Sequence, residues 1–283
     1  MTNVISEVAA QAPGFAGGPA AIELRDVTKR FRTPSGDFYT ALRDLNLTVG
    51  GGEFVSIVGP TGCGKSTTLA LVSGLTPASA GEVLVQNRPV TGIARNLGYV
   101  FQGDVLFPWK SVLGNVAAGL RFRGVGKREA HKRAGEWIAK VGLTGFESHY
   151  PHQLSGGMRK RTALAQSLIT SPEIILMDEP FSALDVQTRA LMEDELLDLW
   201  SATSASVVFV THDLEEAIAL SDRVCVITAG PGTVKGVYEI DLPRPRHVAE
   251  IRFEPRFVEL YREIWDDLRD EVLVSYERGK QHV

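Results

Sequence analysis

The sequence predicts an α/β fold built on a parallel sheet covered on both faces, with an antiparallel β edge subdomain and an inserted helical subdomain. Three observations predict it. Four short apolar runs, at 54–58, 174–177, 207–210 and 224–227, are spaced by helix-like segments, the pattern of strands buried on both sides. Near the N-terminus, Ile22-Glu23-Leu24-Arg25-Asp26-Val27 and Ala41-Leu42-Arg43-Asp44-Leu45-Asn46-Leu47 alternate with the period of half-buried strands, expected to pair antiparallel at a sheet edge. Residues 103–167 carry charged helical stretches such as 127–141 and hardly any strand pattern, which marks the helical insert.

In chain order, residues 1–20 are rich in Ala, Gly and Pro with few large apolar groups to offset the entropy of ordering, and are expected to form a flexible tail. Folded structure is expected from Ala21. Residues 54–58 read as a buried strand that runs into a glycine-rich loop, and residues 66–75 read as the helix that follows. The core is expected over 21–245. Beyond it, in a helical extension over 246–283, Phe257, Leu260, Tyr261, Ile264, Trp265, Leu268 and Val272 recur at helical spacing and predict an amphipathic helix packed on the core.

Composition narrows the function classes. The 283 residues include 44% hydrophobic ones, enough for a sizeable core, and carry a formal net charge of -4. No excess of Lys and Arg is present to neutralise a phosphate backbone, so nucleic acid is not an expected partner. The two cysteines, Cys63 and Cys225, lie far apart without a metal-binding or disulfide pattern, which suits a reducing compartment. The N-terminus lacks the pattern of a secretory signal, and the apolar runs are too short for a spanning helix, which needs roughly 20 residues. Work at a membrane would require docking to a protein that spans it.

Gly59-Pro60-Thr61-Gly62-Cys63-Gly64-Lys65-Ser66-Thr67 matches GxxxxGK[ST] in full, between a strand and a helix. Gly59, Gly62 and Gly64 permit backbone conformations that turn consecutive N–H groups inward around a nucleotide phosphate. Lys65 supplies positive charge to the β- and γ-phosphates, and the Ser66 hydroxyl can ligate Mg²⁺. Thr67 and the helix N-terminus add donors and a favourable dipole. Cys63 reads as a small space-filler; a reactive thiol is the alternative, because a helix N-terminus can lower a thiol pKa.

The strand at 174–177 ends in Asp178 and Glu179. Asp178 is placed to hold Mg²⁺ and Glu179 to polarise a water for in-line attack on the γ-phosphate, unless the two simply charge a helix N-terminus. Gln102, after the run 97–101, could touch Mg²⁺ and the attacking water, and His212, after the run 207–210, could bond the γ-phosphate. Leu154-Ser155-Gly156-Gly157-Met158 opens a helix with a hydroxyl and close-approaching N–H groups, a second anion site. One nucleotide hardly needs two such sites, which points to two chains facing head to tail, each ATP lying between the phosphate loop of one and the Ser155 helix of the other.

With these segments in this order, residues 20–240 closely resemble the ATPase subunits of ABC transporters. The resemblance makes 59–67 the Walker A loop, Gln102 the Q-loop, 154–158 the signature, Asp178 and Glu179 the Walker B pair, Asp185 of Ser182-Ala183-Leu184-Asp185 the D-loop, and His212 the switch histidine. Phe31 is similar to the aromatic that stacks on adenine, although it could be core. A narrower likeness, to the nitrate, sulfonate and taurine importer group, rests on Leu106-Phe107-Pro108-Trp109, on 154–159, on Gln187-Thr188-Arg189, on Gly230-Pro231-Gly232-Thr233 and on Pro243-Arg244-Pro245-Arg246. Met158 and Lys160 depart from the commonest signature, where Gln is usual.

The resemblance implies an ATPase using ATP and Mg²⁺ on the cytoplasmic face of a membrane. Its implied partners are a second copy of the chain, integral membrane permease subunits and a separate solute-binding protein. Leu106, Phe107 and Trp109 are candidates for the permease-docking groove, or for packing inside the insert. The competing classes are a soluble ABC ATPase acting on a non-transport partner and a P-loop kinase or GTPase; the signature segment and His212 argue against the latter. Neither sustained heptads nor a second GxxxxGK occurs.

Overall fold

The computed structural model describes residues 19–280 apart from Arg95 and Asp104, so nearly all of the expected N-terminal tail lies outside the described residues. Two sheets organise the chain. The first is antiparallel, with strand order β2-β1-β4-β5, from β1 (Ala20–Arg32), β2 (Phe38–Gly50), β4 (Ala80–Val85) and β5 (Arg88–Pro89). The strands expected at a sheet edge, β1 and β2, thus belong to a sheet of their own, whose β4–β5 hairpin carries no glycine signal: Gln86 and Asn87 turn the chain there with φ of 51° and 59°.

The second sheet has the order β10-β9-β3-β8-β7-β6. It comprises β3 (Phe54–Val58), β6 (Leu97–Val100), β7 (Ile174–Asp178), β8 (Ser206–Val210), β9 (Arg223–Ile227) and β10 (Val234–Glu239). All neighbours run parallel except β10, which pairs antiparallel with β9. Strands β3, β8 and β9 are buried at every position, as their continuous apolar sequence requires. Between the two sheets, Leu24, Leu42, Leu45, Val55, Ile57, Val208 and Cys225 pack with Leu69 and Val72 of α1 (Lys65–Val72) into one apolar layer.

The opposite face of the parallel sheet is covered by α6 (Val186–Ser201), α7 (Leu214–Leu220), α8 (Val248–Ile251) and α9 (Pro255–Lys280). Of the C-terminal stripe, Phe257, Leu260, Ile264 and Leu268 enter this core, while Trp265 and Val272 stay exposed. Arg246 ties the extension down: its guanidinium, buried, donates to the carbonyls of Ile218, Ala219, Ser221, Ile240 and Leu242, and burial lowers its pKa to about 10.

Four helices, α2 (Val112–Val116), α3 (Ala118–Phe122), α4 (Lys127–Lys140) and α5 (Gly156–Leu168), share a third apolar cluster around Val116, Ala134, Ile138, Leu143 and Ile169. They lie between β6 and β7 in the chain, where the sequence places a helical insert.

Candidate functional site

The phosphate loop leaves β3, which lies between β9 and β8, at the carboxyl end of the parallel strands, where open α/β sheets bind ligands. Gly62 and Gly64 have φ of 80° and 104°, and a Cβ on Gly64 would sit 2.5 Å from Leu42 Cδ2 and 3.1 Å from the Ala41 carbonyl oxygen. Glycine is therefore required by both conformation and space. Lys65 is buried and folds back on its own loop, its Nζ donating to the carbonyls of Gly59 (2.8 Å) and Pro60 (3.0 Å). Cys63 is buried against Gly59, and burial pushes its thiol up, which fits a space-filler better than a nucleophile.

Asp178 closes β7 two strands away, and the Ser66 hydroxyl reaches it: Ser66 Oγ donates to Asp178 Oδ1 at 2.9 Å. Burial raises the Asp178 pKa, against the lowering effect of the Ser66 bond and of a bond from the Tyr99 hydroxyl. Glu179 takes a left-handed backbone, φ 44°, a strained conformation for a residue with a side chain, held by its amide donating to the Val210 carbonyl at 2.8 Å. Its Oε2 accepts a hydrogen bond from Gln102 Nε2 at 3.1 Å and lies 3.1 Å from His212 Nδ1. The turns after β6, β7 and β8 thus bring Gln102, Glu179 and His212 onto one oxygen atom.

Over this cluster lies a cavity of about 590 Å³, lined by Lys65, Ser66, Thr67, Gln102, Glu179 and His212 together with Phe31, Tyr39 and Ala41. Phe31 is exposed, with Lys29 Nζ 4.9 Å from its ring centre, so it does not belong to the core. Ser155, Gly156, Gly157 and Asp185 do not line the cavity. Ser155 caps α5, accepting from the Met158 amide at 3.3 Å, and Asp185 caps α6, accepting from the Thr188 amide at 3.0 Å. Both caps are exposed, and a Cβ on Gly157 would lie 3.2 Å from Thr188 Cγ2, so the two helix starts adjoin each other.

Several residues escaped the sequence reading. Tyr99 bonds Asp178, and Tyr39 Oη donates to the Gly62 carbonyl at 3.4 Å. Lys160, buried, donates from Nζ to the Gln102 carbonyl at 2.6 Å and so joins α5 to the Gln102 turn; its departure from the common signature was the one signal available. Of the docking candidates, Leu106 is buried, which fits the alternative that it packs inside the insert, whereas Trp109 is 71% exposed.

A phosphate-binding loop between strand and helix, facing an acid pair at the end of a strand two positions away in the same parallel sheet, defines a P-loop nucleotide hydrolase. The ABC transporter family model matches residues 42–182. An uncharacterized ABC transporter ATP-binding protein of Methanocaldococcus jannaschii is 45% identical over 90% of this chain and 93% of its own length. A taurine import ATP-binding protein of Burkholderia pseudomallei is 42% identical over 82% of this chain and 91% of its own, and a nitrate import ATP-binding protein of Synechocystis is 40% identical over 88% and 95%. Among solved structures, a dimeric ATP-binding cassette in a post-hydrolysis state bound to ADP and Pi superposes with a TM-score of 0.70 at 34% identity, covering 78% of this chain and all of that one. The chain belongs to the ABC transporter ATP-binding family, and it is an ATPase of that family. Among the described residues no helix is long and apolar enough to cross a membrane.

Proposed function

We propose that this ATPase pairs head to tail with a second copy of itself and powers a membrane importer for a small solute such as nitrate, a sulfonate or taurine. The observation that carries the pairing is a separation. Gln102, Glu179 and His212 converge over the phosphate loop, while exposed Ser155 and its two half-buried glycines, also built to bind an anion, lie outside that cavity. A partner's Ser155 would complete the site, and the dimeric state of the similar cassette supports this. The importer and its cargo class are supported by the names of the taurine and nitrate relatives.

In this reading Lys65 exchanges its two loop carbonyls for phosphate oxygens, and Phe31 offers its exposed face to adenine. Ser66, Asp178 and Gln102 would hold Mg²⁺. Their hard oxygen donors suit that ion, and since no cluster of three or more His, Cys, Asp or Glu occurs among the described residues, phosphate oxygens and water would complete its shell. When bound, the ion would supply charge neutralisation at the phosphates. Glu179 accepts the proton of the attacking water as general base, and Gln102 and His212, already on its Oε2, fix its direction. Loss of the γ-phosphate removes what the partner's Ser155 holds, so the pair opens.

The permease is proposed to dock in the groove of about 390 Å³ between the Gln102 turn and the insert, lined by Phe101, Val105, Phe107, Phe122 and Gln166. Exposed Trp109 extends that apolar surface. The protein would then sit on the cytoplasmic face of the membrane, with a separate solute-binding protein outside.

Glu179→Gln tests the mechanism. Removing the general base is expected to slow hydrolysis by about 10²–10⁴-fold while ATP binding persists. On size exclusion in ATP and Mg²⁺ the variant is expected to run as a dimer. A variant that binds ATP yet stays monomeric refutes the shared site.

A further inference from the structure

We propose that the distal half of α9 is a positioning element of the nucleotide site: Glu271 and Arg278 hold the loop at 228–233 as the back wall of the phosphate loop and thereby set nucleotide affinity. This rests on the phosphate loop being the ATP site.

The first turns of α9 are explained by burial of Phe257, Leu260, Ile264 and Leu268. Beyond Leu268 the apolar side chains Val272, Leu273, Val274 and Tyr276 are all exposed, so apolar packing does not explain why the helix continues. Its attachments there are polar. The Glu271 carboxylate accepts from the Ala229 amide at 2.8 Å and pairs with Lys235 Nζ at 3.0 Å. Lys235 also donates to the Asp267 carbonyl at 2.9 Å. Seven residues further, about 10 Å along the helix, Arg278 Nη1 donates to the Ala229 carbonyl at 3.1 Å and to the Gly230 carbonyl. Helix α9 thus holds both the amide and the carbonyl of Ala229.

The same loop presses on the phosphate loop from behind. A Cβ on Gly232 would overlap the Cys63 carbonyl oxygen, and one on Gly59 would fall 2.8 Å from the Ile227 carbonyl oxygen, so the backbones are in direct contact. The Gly232 amide donates to the Ala41 carbonyl at 2.8 Å, and its own carbonyl accepts from the Arg43 amide at 3.0 Å. Tyr39, which bonds the Gly62 carbonyl, stands 3.6 Å from where a Cβ on Gly230 would be. Residues 59–63 therefore rest on 227–232, and the outer side of 229–230 rests on α9.

A phosphate loop binds only while its amides point inward. Loosening its wall lowers the fraction of chains in that state, and apparent affinity falls by the same fraction. The hydrolytic side chains Gln102, Glu179 and His212 stand on other turns, so turnover of bound ATP should change little. The expected signature is a raised KM at a nearly constant kcat.

The test uses the full chain as wild type, Glu271→Ala/Arg278→Ala, Glu271→Gln and Lys65→Ala. Binding of a fluorescent ATP analogue, ATPase kinetics, and hydrogen exchange without nucleotide are measured. The double variant is expected to raise Kd and KM about five- to tenfold, with kcat within about twofold, and to exchange faster over 59–64 but not over α2–α5. Glu271→Gln, which keeps an acceptor for the Ala229 amide, is expected to stay near wild type. Unchanged affinity and exchange in the double variant overturn the proposal. So does a loss of protection throughout the core, which would make α9 a general stabiliser. A wild-type chain that binds nucleotide no better than Lys65→Ala would instead sink the ATPase reading, and the nucleotide-free exchange would still decide whether α9 supports the loop.

Discussion

Asn115 offers the sharpest test of how the helical insert is held. Its side chain is fully buried in α2 and organises the turn that presents Trp109. Oδ1 accepts from the Phe107 amide at 2.7 Å, and Nδ2 donates to the carbonyls of Phe107 (3.2 Å), Lys110 (3.0 Å) and Ser111 (3.1 Å). Asn115→Ala removes all four contacts. The two hydrogens of Nδ2 are shared among three carbonyls, so with the Oδ1 bond about three full hydrogen bonds are lost, and at roughly 0.5–1.5 kcal/mol net for each the loss would reach about 1.5–4.5 kcal/mol. Phe107, Lys110 and Ser111 are only partly buried, so water can replace some of what is lost, and about 2–4 kcal/mol is the expected cost. For a chain of this size that corresponds to a Tm lower by roughly 5–15 °C. Urea unfolding supplies the free energy, and trypsin reports the local change, because the bond after Lys110 should become cleavable before the core unfolds. Basal ATPase activity should survive, since Asn115 does not line the nucleotide cavity. A loss below about 1 kcal/mol with Lys110 still resistant would refute the argument that buried Asn115 holds this turn.

Two further predictions concern stability and the loop itself. Burial raises the carboxyl of Glu193, to about 8, and that of its neighbour Glu216 above the ordinary 4.5, although Arg252 pairs with Glu193 at 3.2 Å. The folded state then binds protons more tightly than the unfolded one, so this contribution to stability is fully present below about pH 4.5 and is lost as pH rises through about 8. Glu193→Gln should flatten that slope in urea titrations and leave the variant more stable than wild type at pH 8.5; an unchanged slope would refute the assignment. Gly64→Ala must force a side chain into φ 104° against Leu42, at a cost of about 1–3 kcal/mol from the backbone alone, with weaker binding of an ATP analogue, and a variant with wild-type Tm and affinity would contradict the geometry.

What could be read in advance follows from where each constraint lies. The phosphate loop needs glycines, a lysine and a hydroxyl in one continuous stretch, so Gly59 to Thr67 declare themselves. The same holds for strands β3, β7, β8 and β9, whose burial on both faces demands unbroken apolar runs. The hairpin between β4 and β5 gave no such sign, because Gln86 and Asn87 adopt positive φ without glycine. Leu106 and Trp109 are both large and apolar, and only packing separates the buried one from the exposed one. Tyr99 and Lys160 sit in ordinary strand and helix contexts, and their bonds to Asp178 and to the Gln102 carbonyl arise only once β6, β7 and α5 are adjacent.

By itself, then, the sequence determined the α/β class, the phosphate-loop motif at 59–67 and the inventory of polar groups that stand near it, since these depend on short-range pattern and residue chemistry. The tertiary structure decided which of those groups meet. It set Gln102 and His212 on one oxygen of Glu179, left Ser155 outside the cavity, and carried α9 to the wall behind the phosphate loop. Contacts between residues tens or hundreds of positions apart depend on strand order and helix packing, which no local pattern encodes.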